Sequence, residues 1–156
     1  MNQMRFGFSV LGTFFKLGLQ PDVITFSTII HGFVLDNQVH EAVRVFTFTK
    51  MVEGCLCMPN VVVCNTLIKG FCKIGNNSFA IQLLRNMEER GFNPDTVSYS
   101  TIIDSLAKGT LIDEALKLLA EMIRRGIAPD VVTYTSLIQG LCNIGRCKQA
   151  TRLLNR

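Results

Sequence analysis

A two-residue proline motif recurs along this chain at a nearly constant interval. Proline is followed each time by Asp or Asn, and the intervals between prolines are 38, 35 and 35 residues. The copies are Pro21-Asp22, Pro59-Asn60, Pro94-Asp95 and Pro129-Asp130. Similar segments follow them: VITFSTIIHGF, VVVCNTLIKGF, TVSYSTIIDSL and VVTYTSLIQGL. A fixed period in this range indicates stacked copies of one supersecondary unit.

Each unit contains two helical stripes of apolar residues separated by a turn signal. The apolar spacing of i, i+1, i+4 and i+5 is typical of a helix and not of an alternating strand. The second unit predicts a core of Leu67, Ile68, Phe71 and Cys72, then Phe79, Ala80, Leu83, Leu84 and Met87. The third predicts Ile102, Ile103, Leu106 and Ala107, then Ala115, Leu116, Leu119 and Met122. The Asp or Asn after each proline is expected to cap the first helix of its unit.

The motif divides the whole chain, residues 1–156, into a single array. The expected units are a partial repeat 1–22, repeats 23–60, 61–95 and 96–130, and a partial repeat 131–156. Repeat 23–60 has three extra residues, which we expect in the loop 51–60, where insertion costs least. No unit can bury its apolar face alone, so neighbours must stack into an all-α solenoid. Both terminal units would leave apolar residues short of packing, which favours a segment of a longer array or a truncated product.

Composition excludes several classes of protein. Apolar residues make up 48% of the 156 and charged residues 18%, which argues against disorder. No apolar run reaches the ~18 residues that a membrane-spanning helix needs, so no membrane partner is expected. The net charge is +4, and residues 61–156 carry that excess, with twelve Lys and Arg against eight acids. This permits a polyanionic partner without requiring one.

The six cysteines form no Cys-x-x-Cys pair, and neither histidine lies in a ligand-like cluster. We therefore expect buried thiols that pack as small apolar groups, with no metal and no cofactor. Cys72 and Cys142 lie two periods apart at equivalent positions and are predicted to be core residues. No paired carboxylates converge and no nucleophile stands beside a histidine, so the chain is not expected to be an enzyme.

One face of each first helix is not used by the core stripe. On that face an aliphatic residue is followed three positions later by a short polar residue. The pairs are Ile24 and Ser27, Val62 and Asn65, Val97 and Ser100, and Val132 and Thr135. Stacked side by side, these helices would form a continuous surface able to hold one flat polar group per unit, such as a nucleobase or, less uniquely, a peptide side chain.

The segments VVVCNTLIKGFCKIGNNSFAIQLLRNMEERGFNPD (61–95) and VVTYTSLIQGLCNIGRCKQATRLL (131–154) resemble pentatricopeptide repeats, the 35-residue helical hairpins of organellar RNA-binding proteins. Residues 7–33 are also similar to the opening repeats of plant restorer-of-fertility-like proteins of mitochondria. The resemblance covers essentially the whole chain. It implies a right-handed superhelical solenoid that binds single-stranded RNA, one base per repeat, with no small-molecule substrate.

The resemblance also implies a role for particular residues. The fifth and last residues of each unit select the base, and the aliphatic second residues, Ile24, Val62, Val97 and Val132, sandwich it. A lysine at the thirteenth position lies near phosphate, and the matching residues are Lys73 and Lys108. The implied bases, read 5′ to 3′, are adenine for Ser27 with Asn60, uracil for Asn65 with Asp95, guanine for Ser100 with Asp130, and a purine for Thr135.

Two alternatives stay open. One is a protein-binding scaffold like the tetratricopeptide arrays, although those favour a Trp-containing pattern and this chain has no Trp. The other is a truncated fragment without function. The resemblance implies a mitochondrial location, with the chloroplast as the alternative, or the cytosol if the chain is made without a transit peptide. The His-x-Glu and Cys-x-x-Cys motifs of the deaminase-like domains found in some relatives do not occur.

Overall fold

The computed structural model describes residues 9, 12–14, 16–19, 21–51, 60–89 and 91–154. Those residues contain no strand, and residues 9, 12–14 and 16 are helical. The bounded helices are α1 (Val23–Leu35), α2 (Val39–Met51), α3 (Val61–Lys73), α4 (Asn77–Glu89), α5 (Thr96–Lys108), α6 (Ile112–Arg124), α7 (Val131–Asn143) and α8 (Cys147–Leu154). The prediction of an all-α chain of helix-turn-helix units is confirmed.

The four first helices, α1, α3, α5 and α7, begin directly after the Asp or Asn of the proline motif. In each, the side-chain oxygen accepts a hydrogen bond from the backbone N–H three residues on, which satisfies a donor that the helix itself leaves unpaired. The bonds are 2.8 Å from Thr25 to Asp22, 3.0 Å from Val63 to Asn60, 2.9 Å from Ser98 to Asp95 and 2.8 Å from Thr133 to Asp130. The expected capping role of these residues is confirmed.

A left-handed residue reverses the chain between the two helices of each pair. It is Gly75 (φ 74°) after α3 and Gly145 (φ 75°) after α7, where glycine has no Cβ to clash. The corresponding residues after α1 and α5 are Asn37 (φ 60°) and Thr110 (φ 62°). Thr110 is β-branched, so its backbone is strained there.

The chain divides into two compact units, Met1–Gly70 and Phe71–Arg156. In the first unit α1 packs against α2. Its buried side chains are Phe26, Ile30, Phe33 and Val34 of α1, Val39, Ala42, Val45 and Phe46 of α2, and Val63, Cys64, Leu67 and Ile68 of α3. Gly70 allows a close approach, since a Cβ there would lie 2.9 Å from Cγ2 of Val34.

In the second unit α5 packs against α4, α6 and α7, and α7 packs against α8. The fully buried side chains include Tyr99, Ile102, Ile103, Leu106, Ile112, Met122 and Leu137. Gly140 of α7 lies against α5, where a Cβ would be 3.1 Å from Ala107 Cβ and 3.2 Å from the Ala107 carbonyl oxygen. Beside this core, Glu88 accepts a hydrogen bond from the Tyr99 hydroxyl at 3.3 Å and pairs with Arg125 at 2.5 Å.

Most of the predicted core residues are buried, but Phe79 is not. Its side chain is 54% exposed, and its ring stacks on Phe71 with centroids 5.7 Å apart and planes 20° apart. Phe79 lies in the first turn of α4, one residue before the fully buried Ala80. Leu83 and Leu116 are half-buried.

The expectation of buried cysteines is right for Cys64 and wrong for Cys142 and Cys147, which are exposed. Cys72 is half-buried, and burial raises the pKa of its thiol to about 11. The next first helix covers this position in two repeats: Ser105 of α5 contacts the Cys72 carbonyl, and Gly140 of α7 lies against Ala107, the counterpart of Cys72. No following first helix among the described residues lies over Cys142. Cys55, Cys57, the expected insertion in 51–60 and most of the partial repeat 1–22 fall outside the described residues.

Candidate nucleic-acid interface

An exposed aliphatic side chain occupies the second position of every repeat with a described first helix. Ile24 is 72% exposed, Val62 63%, Val97 56% and Val132 58%. Single exposed aliphatics are ordinary, but these four recur at one position of α1, α3, α5 and α7. Each therefore offers an apolar contact on the first turn of its helix, next to the capping residue.

The fifth residues are short and polar and differ in burial. Ser27 and Asn65 are half-buried, Thr135 is exposed, and Ser100 is only 8% exposed. The Ser100 hydroxyl donates to the Val97 carbonyl at 3.3 Å, and the Thr135 hydroxyl donates to the Val131 carbonyl at 2.7 Å. With its proton directed back to the helix, each of these oxygens keeps acceptor capacity.

The last residues of the repeats, Asn60, Asp95 and Asp130, are exposed caps. Oδ1 of Asp130 accepts from both the backbone N–H of Thr133, at 2.8 Å, and its hydroxyl, at 2.7 Å. These two bonds lower the pKa of the Asp130 carboxyl. Among the described residues, no hydrogen bond reaches the second oxygen, Oδ2, of Asp130. The helix cap thus uses Oδ1 of Asp130 and leaves Oδ2 available to accept a hydrogen bond.

The predicted base-selecting pairs are distributed over the two compact units. Ser27 and Asn60 both belong to the first, and Ser100, Asp130 and Thr135 belong to the second. Asn65 belongs to the first unit and Asp95 to the second.

The two predicted phosphate-contacting lysines have different surroundings. Lys73 is exposed at the end of α3 and makes no ion pair with the residues that the structure describes. Nζ of Lys108 lies 2.6 Å from Oδ2 of Asp104, in a pair whose side chains are 74% and 32% exposed. Lys108 is therefore already engaged by a carboxylate.

Sequence reasoning missed the contacts of Asp104. Its Oδ1 accepts a 2.7 Å hydrogen bond from the Ser136 hydroxyl of α7. Beside these residues is a shallow pocket of about 130 Å³, also lined by Gln139 and Asn143. One signal was visible in the sequence: Asp104 is the only acidic residue within the four first helices.

No group of three or more His, Cys, Asp and Glu side chains in the described part of the chain is placed to hold a metal ion. In the same residues, no helix has the length and apolar character needed to cross a membrane.

Repeated two-helix hairpins, each with a capped first helix and an exposed aliphatic residue, define a helical-repeat protein. The PPR repeat family model matches residues 59–108 and 101–143, and two further models, each described as PPR repeat, match residues 17–51 and 132–156. The chain belongs to the pentatricopeptide repeat family.

The chain is similar to much longer plant proteins. It is 36% identical over 77 residues to a mitochondrial pentatricopeptide repeat-containing protein of Arabidopsis thaliana, covering 49% of this chain and 17% of that protein. It is also 36% identical over 91 residues to a chloroplastic one from the same plant, covering 58% of this chain and 11% of that protein. It therefore spans less than a fifth of the length of either relative.

Solved structures show the same fold. The crystal structure of the pentatricopeptide repeat protein PPR10 from maize superposes with a TM-score of 0.86 at 25% identity, over 94% of this chain and 21% of that one. The complex of PPR10 with an 18-nucleotide psaJ RNA element superposes with a TM-score of 0.77. The PPR domain of Arabidopsis thaliana protein-only RNase P 1, in complex with tRNA, superposes at 0.77 with 12% identity, which shows the fold alone.

Proposed function

We propose that this chain binds single-stranded RNA sequence-selectively, one base per repeat, in the RNA metabolism of an organelle. The observation that carries the proposal is the repeated set of an exposed aliphatic, a short polar residue and a capping Asp or Asn. Membership of the pentatricopeptide repeat family supports it, as does the RNA complex of PPR10. The similar plant proteins include mitochondrial and chloroplastic members, and of the two organelles we propose the mitochondrion.

Each base would lie between the aliphatic second residues of successive repeats and meet the fifth and last residues at its edge. The proposed order, 5′ to 3′, is adenine, uracil, guanine and a purine. The residues are Ser27 with Asn60, Asn65 with Asp95, Ser100 with Asp130, and Thr135, flanked by Ile24, Val62, Val97 and Val132.

The chemistry of the last residue supports these assignments. An ionised carboxylate can only accept hydrogen bonds, so Asp95 and Asp130 suit uracil and guanine, whose Watson–Crick edges carry a ring N–H donor. An amide also donates, so Asn60 suits adenine, whose ring nitrogen at that edge is an acceptor. Oδ2 of Asp130, the oxygen that the cap leaves over, is the atom available for this contact.

Phosphate contact belongs to Lys73 in this proposal, because that lysine is exposed and unpaired among the described residues. This single contact would give a shallow salt dependence, with a log–log slope of about −0.7 for one phosphate neutralised on a single strand.

We propose binding without catalysis, in which occupation of a transcript changes its processing, stability or translation. The similarity to protein-only RNase P 1 is one of fold at 12% identity and transfers no activity. Fertility restoration is the biological setting that the sequence resemblance of residues 7–33 suggests.

The test is fluorescence anisotropy at low salt with three labelled strands: an RNA with AUGA and AUGG cores, a scrambled RNA, and the DNA equivalent of the first. We expect preference for the first strand and loss of that preference with Asn65→Ala. Gln82→Ala is the matched control, because Gln82 is an exposed, uncharged residue of the second helix α4. Glu88 would be a poor control, since it bonds both Tyr99 and Arg125.

A second variant tests whether Asp130 selects the third base. Asp130→Asn keeps an Oδ1 acceptor for the cap and replaces Oδ2 by an amide donor, so preference at the third base should move from guanine towards adenine. Equal binding of all three strands by every variant would contradict base reading. Absence of RNA binding by a folded, helical sample would favour a protein-binding scaffold.

A further inference from the structure

The first helices are nearly free of acidic residues. Within α1, α3, α5 and α7 the only Asp or Glu is Asp104. The residues at the same position in the other three helices are His31, Lys69 and Gln139. Of the four first helices, which carry the proposed RNA contacts, only the one in repeat 96–130 thus has a negatively charged side chain.

Asp104 is held from two sides. Its Oδ2 pairs with Nζ of Lys108, one turn on in α5, at 2.6 Å. Its Oδ1 accepts from the Ser136 hydroxyl of the next first helix, α7, at 2.7 Å. Because the second bond comes from another helix, the carboxylate cannot swing away from Lys108 without losing an inter-repeat contact.

We propose that Asp104 is a negative determinant of RNA affinity that withdraws Lys108 from phosphate binding; this inference rests on the proposed RNA-binding function. Repeat 96–130 then reads its base without a phosphate contact, whereas Lys73 supplies one in repeat 61–95. Asp104 lowers the part of the binding energy that is independent of sequence, because phosphate contacts carry no base information.

The electrostatic reason is the short distance between the paired groups. A phosphate oxygen in contact with Nζ of Lys108 would lie only about 5 Å from the Asp104 carboxylate, given ordinary hydrogen-bond lengths on each side. Repulsion by the aspartate at about 5 Å then offsets roughly half of the attraction to the lysine at about 3 Å. Lys73 has no carboxylate partner among the described residues, so its attraction to phosphate is not offset in this way.

The test compares salt titrations of RNA binding for wild type, Asp104→Asn, Lys108→Ala, the double variant and Lys73→Ala. The amide introduced by Asp104→Asn would still accept from Ser136 but would release Lys108. We expect Asp104→Asn to steepen the slope of log affinity against log salt by about 0.7. With affinities that converge at about 1 M salt, this is about eightfold tighter binding at 50 mM and about twofold at 300 mM. Target and scrambled RNA should gain alike. Lys108→Ala alone leaves the Asp104 carboxylate uncompensated and should lower affinity, so the decisive comparison is the double variant, which should return to the wild-type slope.

Asp113→Asn is the matched control for charge. Asp113 also pairs with a cation, Arg146, at 2.6 Å, but it lies on the second helix α6. Its substitution changes the net charge equally and should leave the slope unchanged. Ser136→Ala removes the inter-helix hydrogen bond but keeps the Asp104 charge beside Lys108, so any steepening of its slope should be well below that of Asp104→Asn. Thermal melting of each variant checks that the fold is retained.

Two results would overturn the inference while leaving RNA binding intact. One is a double variant that keeps the steeper slope of Asp104→Asn, which would mean that Lys108 is not the cation that this substitution releases. The other is an unchanged slope for a folded Asp104→Asn variant. If neither wild type nor any variant binds RNA, the proposed function itself fails and this inference fails with it.

Discussion

The hydroxyl of Ser105 donates a 2.6 Å hydrogen bond to Oδ1 of Asn77, whose side chain is only 8% exposed. Ser105 occupies the tenth position of its repeat, where the neighbouring repeats have Gly70 and Gly140. At both glycines a first helix approaches the preceding one too closely for a side chain to fit without adjustment. In α5 the residue at this position is a serine, and its hydroxyl bonds the start of α4.

Ser105→Ala should lower the free energy of unfolding by about 1–2 kcal/mol, because it leaves the buried Asn77 oxygen without this donor. Urea unfolding followed by far-UV circular dichroism measures the change. Ser78→Ala, on the exposed side of α4, is the control and should stay within about 0.5 kcal/mol. Equal effects for the two serines would contradict a structural role for this bond.

Gly140→Ala should destabilise the chain by about 1–3 kcal/mol, since the added methyl meets the Ala107 backbone, which cannot move aside. Gly32 occupies the same position in α1, where no described atom lies within 4 Å of an added Cβ. Gly32→Ala should therefore stabilise by about 0.5–1 kcal/mol through helix propensity. Chemical denaturation of both variants gives the comparison, and stabilisation by Gly140→Ala would refute the close approach.

Thr110→Gly should raise stability by about 0.5–1 kcal/mol, because it removes the strain of a β-branched residue with a φ of 62°. The reciprocal change, Gly75→Thr, should lower stability by a similar amount at the equivalent turn. Differential scanning calorimetry of the two variants would show midpoints moving in opposite directions. A lower unfolding temperature for Thr110→Gly would mean that the threonine side chain stabilises the fold by more than its backbone strain destabilises it.

The period of the sequence predicted where helices begin, because each Pro-Asp or Pro-Asn step stops one helix and caps the next. It did not predict which residues of a stripe are covered by the neighbouring repeat. Cys72 and Cys142 are equivalent within their repeats, yet in the part of the chain that the structure describes a following first helix lies beside Cys72 and none lies beside Cys142. The pairing of Asp104 with Ser136 was missed for the same reason: it joins residues 32 apart, and local periodicity carries no information on such contacts.

Stability should fall at acid pH in a way that depends on Asp130. Its hydrogen bonds to Thr133 lower its pKa in the folded state, so the cap stabilises fully above the unfolded pKa of about 4 and loses this contribution as pH falls through the folded pKa. Asp130→Asn retains an acceptor and should reduce the loss of thermal stability between pH 7 and pH 3.

Asp36→Asn is the control for that experiment, because the Asp36 carboxylate accepts no hydrogen bond from the described residues. Its pH profile should follow that of wild type. Asp130→Ala, which removes the cap, should cost about 1 kcal/mol at pH 7. Identical pH profiles for wild type and Asp130→Asn would show that the cap does not depend on the charge.

Val97→Ala separates binding from stability. The side chain is 56% exposed, so unfolding should change by less than about 0.5 kcal/mol. If Val97 packs against a base, RNA affinity should fall by about fivefold, equivalent to about 1 kcal/mol of lost apolar contact. Ile123→Ala is the matched control, an exposed aliphatic at 46% on the second helix α6. Equal losses for both variants in an anisotropy titration would remove Val97 from the RNA interface.

The caps of the first helices bear on how a repeat array of this kind can change its target. Asp and Asn serve almost equally well as the residue before a helix, and both occur in that role here, at Asn60 and Asp130. Exchanging one for the other preserves the bond to the backbone and alters only the remaining polar atom. Under the proposed function, a single substitution could then redirect a repeat to another base at almost no cost in folding. Such arrays would diverge in specificity along paths on which every intermediate remains folded.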